Sequence, residues 1–320
     1  MKIVYKKLNN LLPGKISFVN ETKGSKLENK IKKLKYGKAI LIQNTRYEDI
    51  YEKKESNCDE ELAKYWASLA DIFINDAFAT IHRKHASNYG ISCYLPSAMG
   101  FLIEDEINNL SILDKPKKPF VIIMGGSKIS DKIGIIQSLI TKADYILVGG
   151  AMAHTFIKAN GYEIGLSIYE KEKVSYCKEM LKKYKDKIFL PIDLRGISDD
   201  LNHDPIIEKT SQIEEGYIGL DIGDNTIENF KDVLKSAETV FWNGPLGKYE
   251  DENYIYGTKE ILEYLKRENK TVILGGGDIV ACANVLGYTK DFIISTGGGA
   301  TLKYLENHNQ PGLENLKWKK

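Results

Sequence analysis

Two lysines and a Ser-Asp pair follow twin glycines in the stretch Val121 to Gly134, VIIMGGSKISDKIG. The apolar run Phe120 to Met124 stops at Gly125-Gly126, and Ser130 and Asp131 stand where a helix would open. A strand that ends in glycines and turns into a helix start offers unpaired N–H groups and a positive dipole end. Such a place suits an anion, and phosphate above all. Lys128 and Lys132 are four residues apart, so a helical first turn would bring both ammonium groups to one side. The pattern predicts a nucleotide-phosphate site.

The signal recurs along the chain. Gly149-Gly150, Asn243-Gly244-Pro245-Leu246-Gly247, Gly275-Gly276-Gly277-Asp278 and Gly297-Gly298-Gly299 each follow a short β-branched or aromatic run. Strand ends that repeatedly stop at glycine predict one sheet edge at which backbone approaches a ligand closely.

The elements that must position these residues alternate. Strands are predicted at 15–20, 39–44, 71–75, 120–124, 145–149, 187–192, 217–222, 239–243, 271–275 and 291–295. Helices are predicted near Ser25–Leu34, Asp59–Leu69, Ser97–Leu113, Asp131–Ala143, Ala151–Asn160, Lys171–Lys185, Thr226–Ala237, Gly257–Lys266 and Ala300–Glu306. Strand–helix alternation implies parallel sheets. Pro116 and Pro119 after the long helix mark a domain junction. The expected fold is α/β, two doubly wound parallel-sheet lobes joined by a helical hinge. Residues 1–114 form the N-terminal lobe, 115–300 the C-terminal lobe, and 301–320 return to the first.

At 320 residues, 42% hydrophobic and 28% charged, the chain fits a soluble globular protein of two domains. No apolar run approaches a membrane span, and no signal peptide opens the chain. Cys58, Cys93, Cys177 and Cys282 are scattered, as reduced thiols of a cytoplasmic protein would be. Residues 1–54 hold 14 Lys or Arg against 5 Asp or Glu, a basic lobe that could attract a small polyanion or nucleic acid. Aromatic-basic interleaving is absent, which argues against nucleic acid. Neither GxxxxGK[ST] nor GxGxxG after the first strand occurs, which removes P-loop kinases and Rossmann dehydrogenases.

Seven stretches, in order, resemble the phosphoglycerate kinase family: NDAFATIHRKHAS (75–87), GFLIEDEI (100–107), MGGSKISDKIG (124–134), GYIGLDIG (216–223), FWNGPLGKYE (241–250), GGGD (275–278) and STGGGATLKYLE (295–306). The resemblance covers practically the whole chain. It implies glycolytic, reversible, Mg²⁺-dependent phosphoryl transfer between ATP and 3-phosphoglycerate, giving ADP and 1,3-bisphosphoglycerate. Small-molecule substrates, a monomer, and no nucleic-acid or membrane partner are expected with it. By this resemblance Arg46 and Arg83 grip phosphoglycerate, and guanidinium forks suit its oxygens. His82 and His85 beside Arg83 are expected to be structural or to support the substrate-binding groups from behind, because this chemistry needs no general base from histidine. Lys132 meets the transferring phosphoryl group, with Gly276 and Gly298 stabilising its oxygens. Gly125, Gly126, Lys128, Asn243, Gly277 and Ile279 line the phosphates. Gly219 and Pro245 contact adenosine, Glu250 takes the ribose hydroxyls, and Asp278 meets Mg²⁺.

This sequence departs from the family pattern in three places. Ile279 stands where a Thr or Ser is usual, so a hydroxyl contact to phosphate is expected to be missing. Gly223-Asp224-Asn225 replaces a Gly-Pro turn. The family's first strand, reading like RVDFNVP, and its later strand ending in HLGRP have no counterpart here, so the N-terminal lobe is expected to be incomplete. Two readings stay open: a piece of an ordinary enzyme whose start lies upstream, or a catalytically impaired nucleotide-binding protein. On either, little turnover is expected of the chain as written.

Overall fold

In the computed structural model, residues 1–198 and 205–317 are described. They divide into two compact units, Met1–Asp105 with the segment from Asn309 onward, and Glu106–His308.

In the first unit short parallel pairs replace the single sheet anticipated. Strand β1 (Ile16–Phe18) pairs with β2 (Ala39–Leu41), and β3 (Phe73–Asn75) with β4 (Ser97–Met99). Helices α1 (Lys2–Leu11), α2 (Ser25–Lys32) and α3 (Glu60–Ala67) accompany them. The predicted helix from Ser97 proves to be strand β4, Gly100, and then α4 (Phe101–Ser111). Asp76 forces that break, because its carboxylate takes the Ile103 N–H at 3.1 Å and so caps the helix start. The returning segment joins this unit through Gly312, whose N–H donates to Ile81 O at 2.8 Å.

The second unit is built on six parallel strands: β5 (Phe120–Met124), β6 (Tyr145–Val148), β7 (Ile188–Phe189), β11 (Thr239–Asn243), β12 (Thr271–Gly275) and β13 (Ile293–Ser295), in the order β13-β12-β11-β5-β6-β7. Every residue of β5 and β11 is buried, as near-continuous apolar runs require when helices cover both faces. The covering helices are α5 (Ile133–Leu139), α6 (Met152–Ala159), α7 (Val174–Lys183), α8 (Asp224–Lys235), α9 (Tyr256–Arg267), α10 (Gly277–Val285) and α11 (Gly299–Glu306). Helix α8 buries Ile227, Phe230 and Leu234 on one stripe, each worth about 2 kcal/mol when fully removed from water. Trp242 is wholly buried and satisfies its indole N–H on Gly244 O at 2.8 Å.

One predicted strand lies outside this sheet. β10 (Tyr217–Ile222) pairs antiparallel with β8 (Asp193–Ser198), which pairs with β9 (Ile206–Lys209). Only three residues separate β7 from β8, too few for the crossover a parallel return needs, so the chain starts a separate sheet. At the Gly223-Asp224-Asn225 turn, Asp193 accepts from the N–H groups of Asn225 (3.0 Å) and Thr226 (2.8 Å). A carboxylate from a distant strand thereby caps α8.

Candidate active site

Strands β5 and β11 are neighbours, but their crossovers leave in opposite directions, β5 toward β6 and β11 toward β12. That reversal opens a crevice beyond the strand C-termini. Three glycine-bearing loops meet there. Gly125 donates its N–H to Asn243 O (2.9 Å), Gly126 to Pro245 O (2.8 Å) and Gly150 to Leu246 O (2.8 Å). Gly150 has φ +63, and a Cβ there would lie 2.6 Å from Gly126 N. The amides of Gly125 and Gly126 are thus committed to neighbouring main chain, where the sequence predicted unpaired N–H groups at this strand end. Their absent side chains serve close loop packing instead.

A cavity of about 310 Å³ opens against these loops. Gly126, Gly219, Pro245, Glu250 and Asp278 all line it, so five of the predicted nucleotide residues are brought together. Its lining includes the apolar Ile168, Leu194 and Ile218 and the polar Ser127, Lys248, Glu250 and Asp278. An apolar wall for a base and a few polar groups for sugar and phosphate are chemically apt.

Lys132 lies beside Gly126, its Cε 3.9 Å from where a Cβ on that glycine would stand. Its ammonium donates to Asn243 Oδ1, and Asn243 Nδ2 donates to Gly275 O. Burial lowers the Lys132 pKa, against the upward pull of Asp278 and Asp131. Gly276 is the N-cap of α10 and Gly298 that of α11, on the adjacent strands β12 and β13. The start of α10 therefore lies beside the lysine, since a Cβ on Gly276 would stand 2.6 Å from Asn243 Nδ2; the first-turn amides of both helices lie outside the helical ladder. Asp278 sits in the first turn of α10.

Two expectations change. Residues 127–132 form bends and turns, and α5 begins only at Ile133. Glu170 accepts from Ser130 N (3.1 Å) and Oγ (2.5 Å), which holds this loop in a non-helical path. Lys128 and Lys132 consequently share no helical turn, and Lys128 is exposed near Glu170. The Ile279 side chain is fully buried in the core with Leu274 and Ala283, so only its backbone N–H can serve a ligand.

In the first unit, Arg46 and Arg83 are exposed on two loops joined by a buried carboxylate. Glu55 accepts from Thr45 Oγ1 (3.1 Å) and Ser87 N (3.0 Å), drawing the two loops together. Burial holds the His85 imidazole below its ordinary range. Glu55 pulls it up, and both guanidinium groups push it further down, which places Arg46 and Arg83 around the same ring. Asp49 binds Arg46 Nε at 2.9 Å, and Arg83 Nε donates to His82 Nε2 at 3.2 Å.

A family model described as phosphoglycerate kinase matches residues 1–308. The chain belongs to the phosphoglycerate kinase family. It is 46% identical over 318 residues to a phosphoglycerate kinase of Staphylococcus aureus (strain JH9), covering 98% of this chain and 80% of that relative. Two solved structures are similar to it. The phosphoglycerate kinase from Coxiella burnetii has a TM-score of 0.84 at 33% identity, covering 98% of this chain and 79% of that one. The enzyme from Pyrococcus horikoshii OT3 has 0.85 at 29%, covering 98% and 81%. As a member of the phosphoglycerate kinase family the chain is a nucleotide-dependent phosphotransferase of glycolysis. No helix among the described residues is long and apolar enough to cross a membrane.

Sequence reasoning missed three buried polar side chains, one in the first unit and two in the second, that bear on these loops. Glu55 sits in a Lys/Glu-rich loop that reads as solvated. Glu106 is buried, and its Oε1 takes Thr296 N (2.8 Å) and Oγ1 (3.0 Å), fixing the loop that leads to α11. His154 is a lone histidine on an apolar helix and lines the cavity. No spacing signal marks any of the three.

Proposed function

We propose that this chain moves the terminal phosphoryl group of ATP reversibly to the carboxylate of 3-phosphoglycerate, giving ADP and 1,3-bisphosphoglycerate. The observation that carries the reading is the Lys132–Asn243 pair beside Gly126, next to a base-sized cavity that Gly126 and Asp278 of the first turn of α10 both line. The base sits between Gly219 and Pro245, the ribose meets Glu250, and the phosphates run past Gly126 and Lys128 toward the amides of Gly277 and Ile279.

A carboxylate oxygen attacks the terminal phosphorus while the bond to the ADP oxygen breaks. The nucleophile is already ionised, so no proton need be removed. The demand on the protein is positioning and charge neutralisation. Lys132, oriented by Asn243, supplies positive charge at the moving group, and the α10 and α11 amides beyond Gly276 and Gly298 share it. Arg46 and Arg83 hold the phosphoglycerate through bidentate contacts.

No group of three or more His, Cys, Asp or Glu among the described residues could hold a metal alone. Asp278 is a single carboxylate beside the phosphate path. This fits Mg²⁺, which takes one or two carboxylates and completes its shell with phosphate oxygens and water. The ion would neutralise phosphate charge. Four free cysteines favour a reducing, cytoplasmic location.

The test is calorimetric titration of Mg·ADP into folded protein, followed by a coupled assay of ATP-dependent phosphoglycerate phosphorylation. Saturable binding and phosphoglycerate-dependent ADP formation are expected. A folded sample that binds no nucleotide, or hydrolyses ATP without regard to phosphoglycerate, sinks the reading.

A further inference from the structure

His154 is 2% exposed, yet its ring lines the nucleotide cavity. Helix α6 delivers it from beneath, one turn after Gly150. Its Nδ1 stands 2.9 Å from Ile168 O. A carbonyl can only accept, so Nδ1 carries the hydrogen. Burial holds the pKa of the ring below its ordinary range, which keeps the imidazole neutral. Nε2 is left as a lone-pair acceptor with no hydrogen bond among the described residues. A Cβ on Gly219 would lie 2.8 Å from that Nε2 and 2.9 Å from Leu194 Cδ1. The acceptor therefore borders the cavity wall that Gly219 and Leu194 form.

Asp221, the other buried polar group in this lining, is already engaged. Its carboxylate accepts from Gly257 N at 2.7 Å and Ile222 N at 2.8 Å. On the nucleotide reading, phosphates beside Asp278 leave the wall formed by Gly219, Leu194 and His154 for the base.

We infer that His154 is a specificity-determining residue for the base: its Nε2 accepts from an exocyclic amine and disfavours a ring carbonyl, so the site selects a 6-aminopurine over a 6-oxopurine. The inference rests on the nucleotide reading above. An oxo group facing Nε2 sets acceptor against acceptor and leaves both without a partner in a desolvated wall.

The experiment is calorimetric comparison of ADP with IDP, both with Mg²⁺, on the wild-type chain, His154→Phe and His154→Gln, each first shown by thermal unfolding to be folded. IDP replaces the 6-amino group by a carbonyl and adds no second amine. ADP should bind wild type about ten-fold more tightly than IDP. His154→Phe, which removes the acceptor, should bring the ratio near one, and His154→Gln, which restores an acceptor, should keep part of it. The inference is overturned if wild type binds IDP as tightly as ADP, or if the preference survives in His154→Phe. Should neither diphosphate bind folded wild type, the nucleotide-site reading itself fails. The two failures are thus distinguishable, and the wild-type comparison decides even if a variant does not fold.

Discussion

The Lys132 ammonium donates to Asn243 Oδ1 across 111 positions of sequence, and the same amide donates through Nδ2 to Gly275 O. One asparagine thus ties this lysine to the strand end from which α10 departs. Lys132 is oriented before any ligand arrives.

Replacing Lys132 by Ala should therefore lower kcat by about two to three powers of ten, the usual loss when one preorganised charge is removed from a transition state. The Kd for Mg·ADP should change much less, because that charge acts chiefly on the moving group. Steady-state rates beside calorimetry separate the two effects. Equal losses would reduce the lysine to an anchor for bound phosphate.

Arg46→Ala and Arg83→Ala should each raise KM for 3-phosphoglycerate by about ten-fold or more, the value of a charge-assisted contact, and leave KM for ATP unchanged. Initial-rate kinetics with each substrate varied in turn is the check. A rise confined to ATP would place both arginines outside acceptor binding.

Ile279→Thr is expected to destabilise the fold by about 1–3 kcal/mol, through a hydroxyl brought into an apolar core. Mg·ADP affinity should stay the same. Denaturant unfolding and calorimetry on one preparation decide it, and tighter nucleotide binding would show that the hydroxyl reaches a phosphate after all.

Asp221 gives a pH prediction. Burial raises its pKa to about 7 in the folded protein, against 3.8 for the free side chain, despite the two backbone N–H groups it accepts. Below 3.8 both states hold the proton and the group is neutral to stability. Between 3.8 and 7 the unfolded chain releases the proton first, so stability falls as pH rises through that window and levels off above it. Asp221→Asn cannot titrate, so its stability relative to wild type should climb by on the order of 3 kcal/mol from pH 4 to pH 8. Denaturant melts across that range give the measurement, and a constant difference would mean that the carboxyl ionises normally.

Much of this was legible because local rules and tertiary needs agree. The run Phe120 to Met124 reads as a buried strand and is one; the glycines after it end that strand, and those after Leu274 end another and open α10. The failures have one shared cause. Ser130 was expected to open a helix, but Glu170 from 40 positions away takes its N–H and hydroxyl. Ser97 was expected inside a helix, but Asp76 caps that helix later. Glu55 and His154 likewise act through partners distant in sequence. A single buried side chain that reorganises a remote loop leaves no periodicity to detect.

The main-chain bonds from Gly126 to Pro245 and from Gly150 to Leu246 carry a consequence for engineering. They fasten the loop bearing Pro245 to the loop that leads to Lys132 without help from any side chain. The span between these two loops is therefore set by backbone bonds, and on the proposed reading it fixes how far the base wall stands from the loop that leads to Lys132. Leu194, Ile218 and His154 can be redesigned to admit another base while that span is kept, whereas a side chain at Gly150 would alter the span and spare the base wall. Recognition and reactivity are separately adjustable in this scaffold.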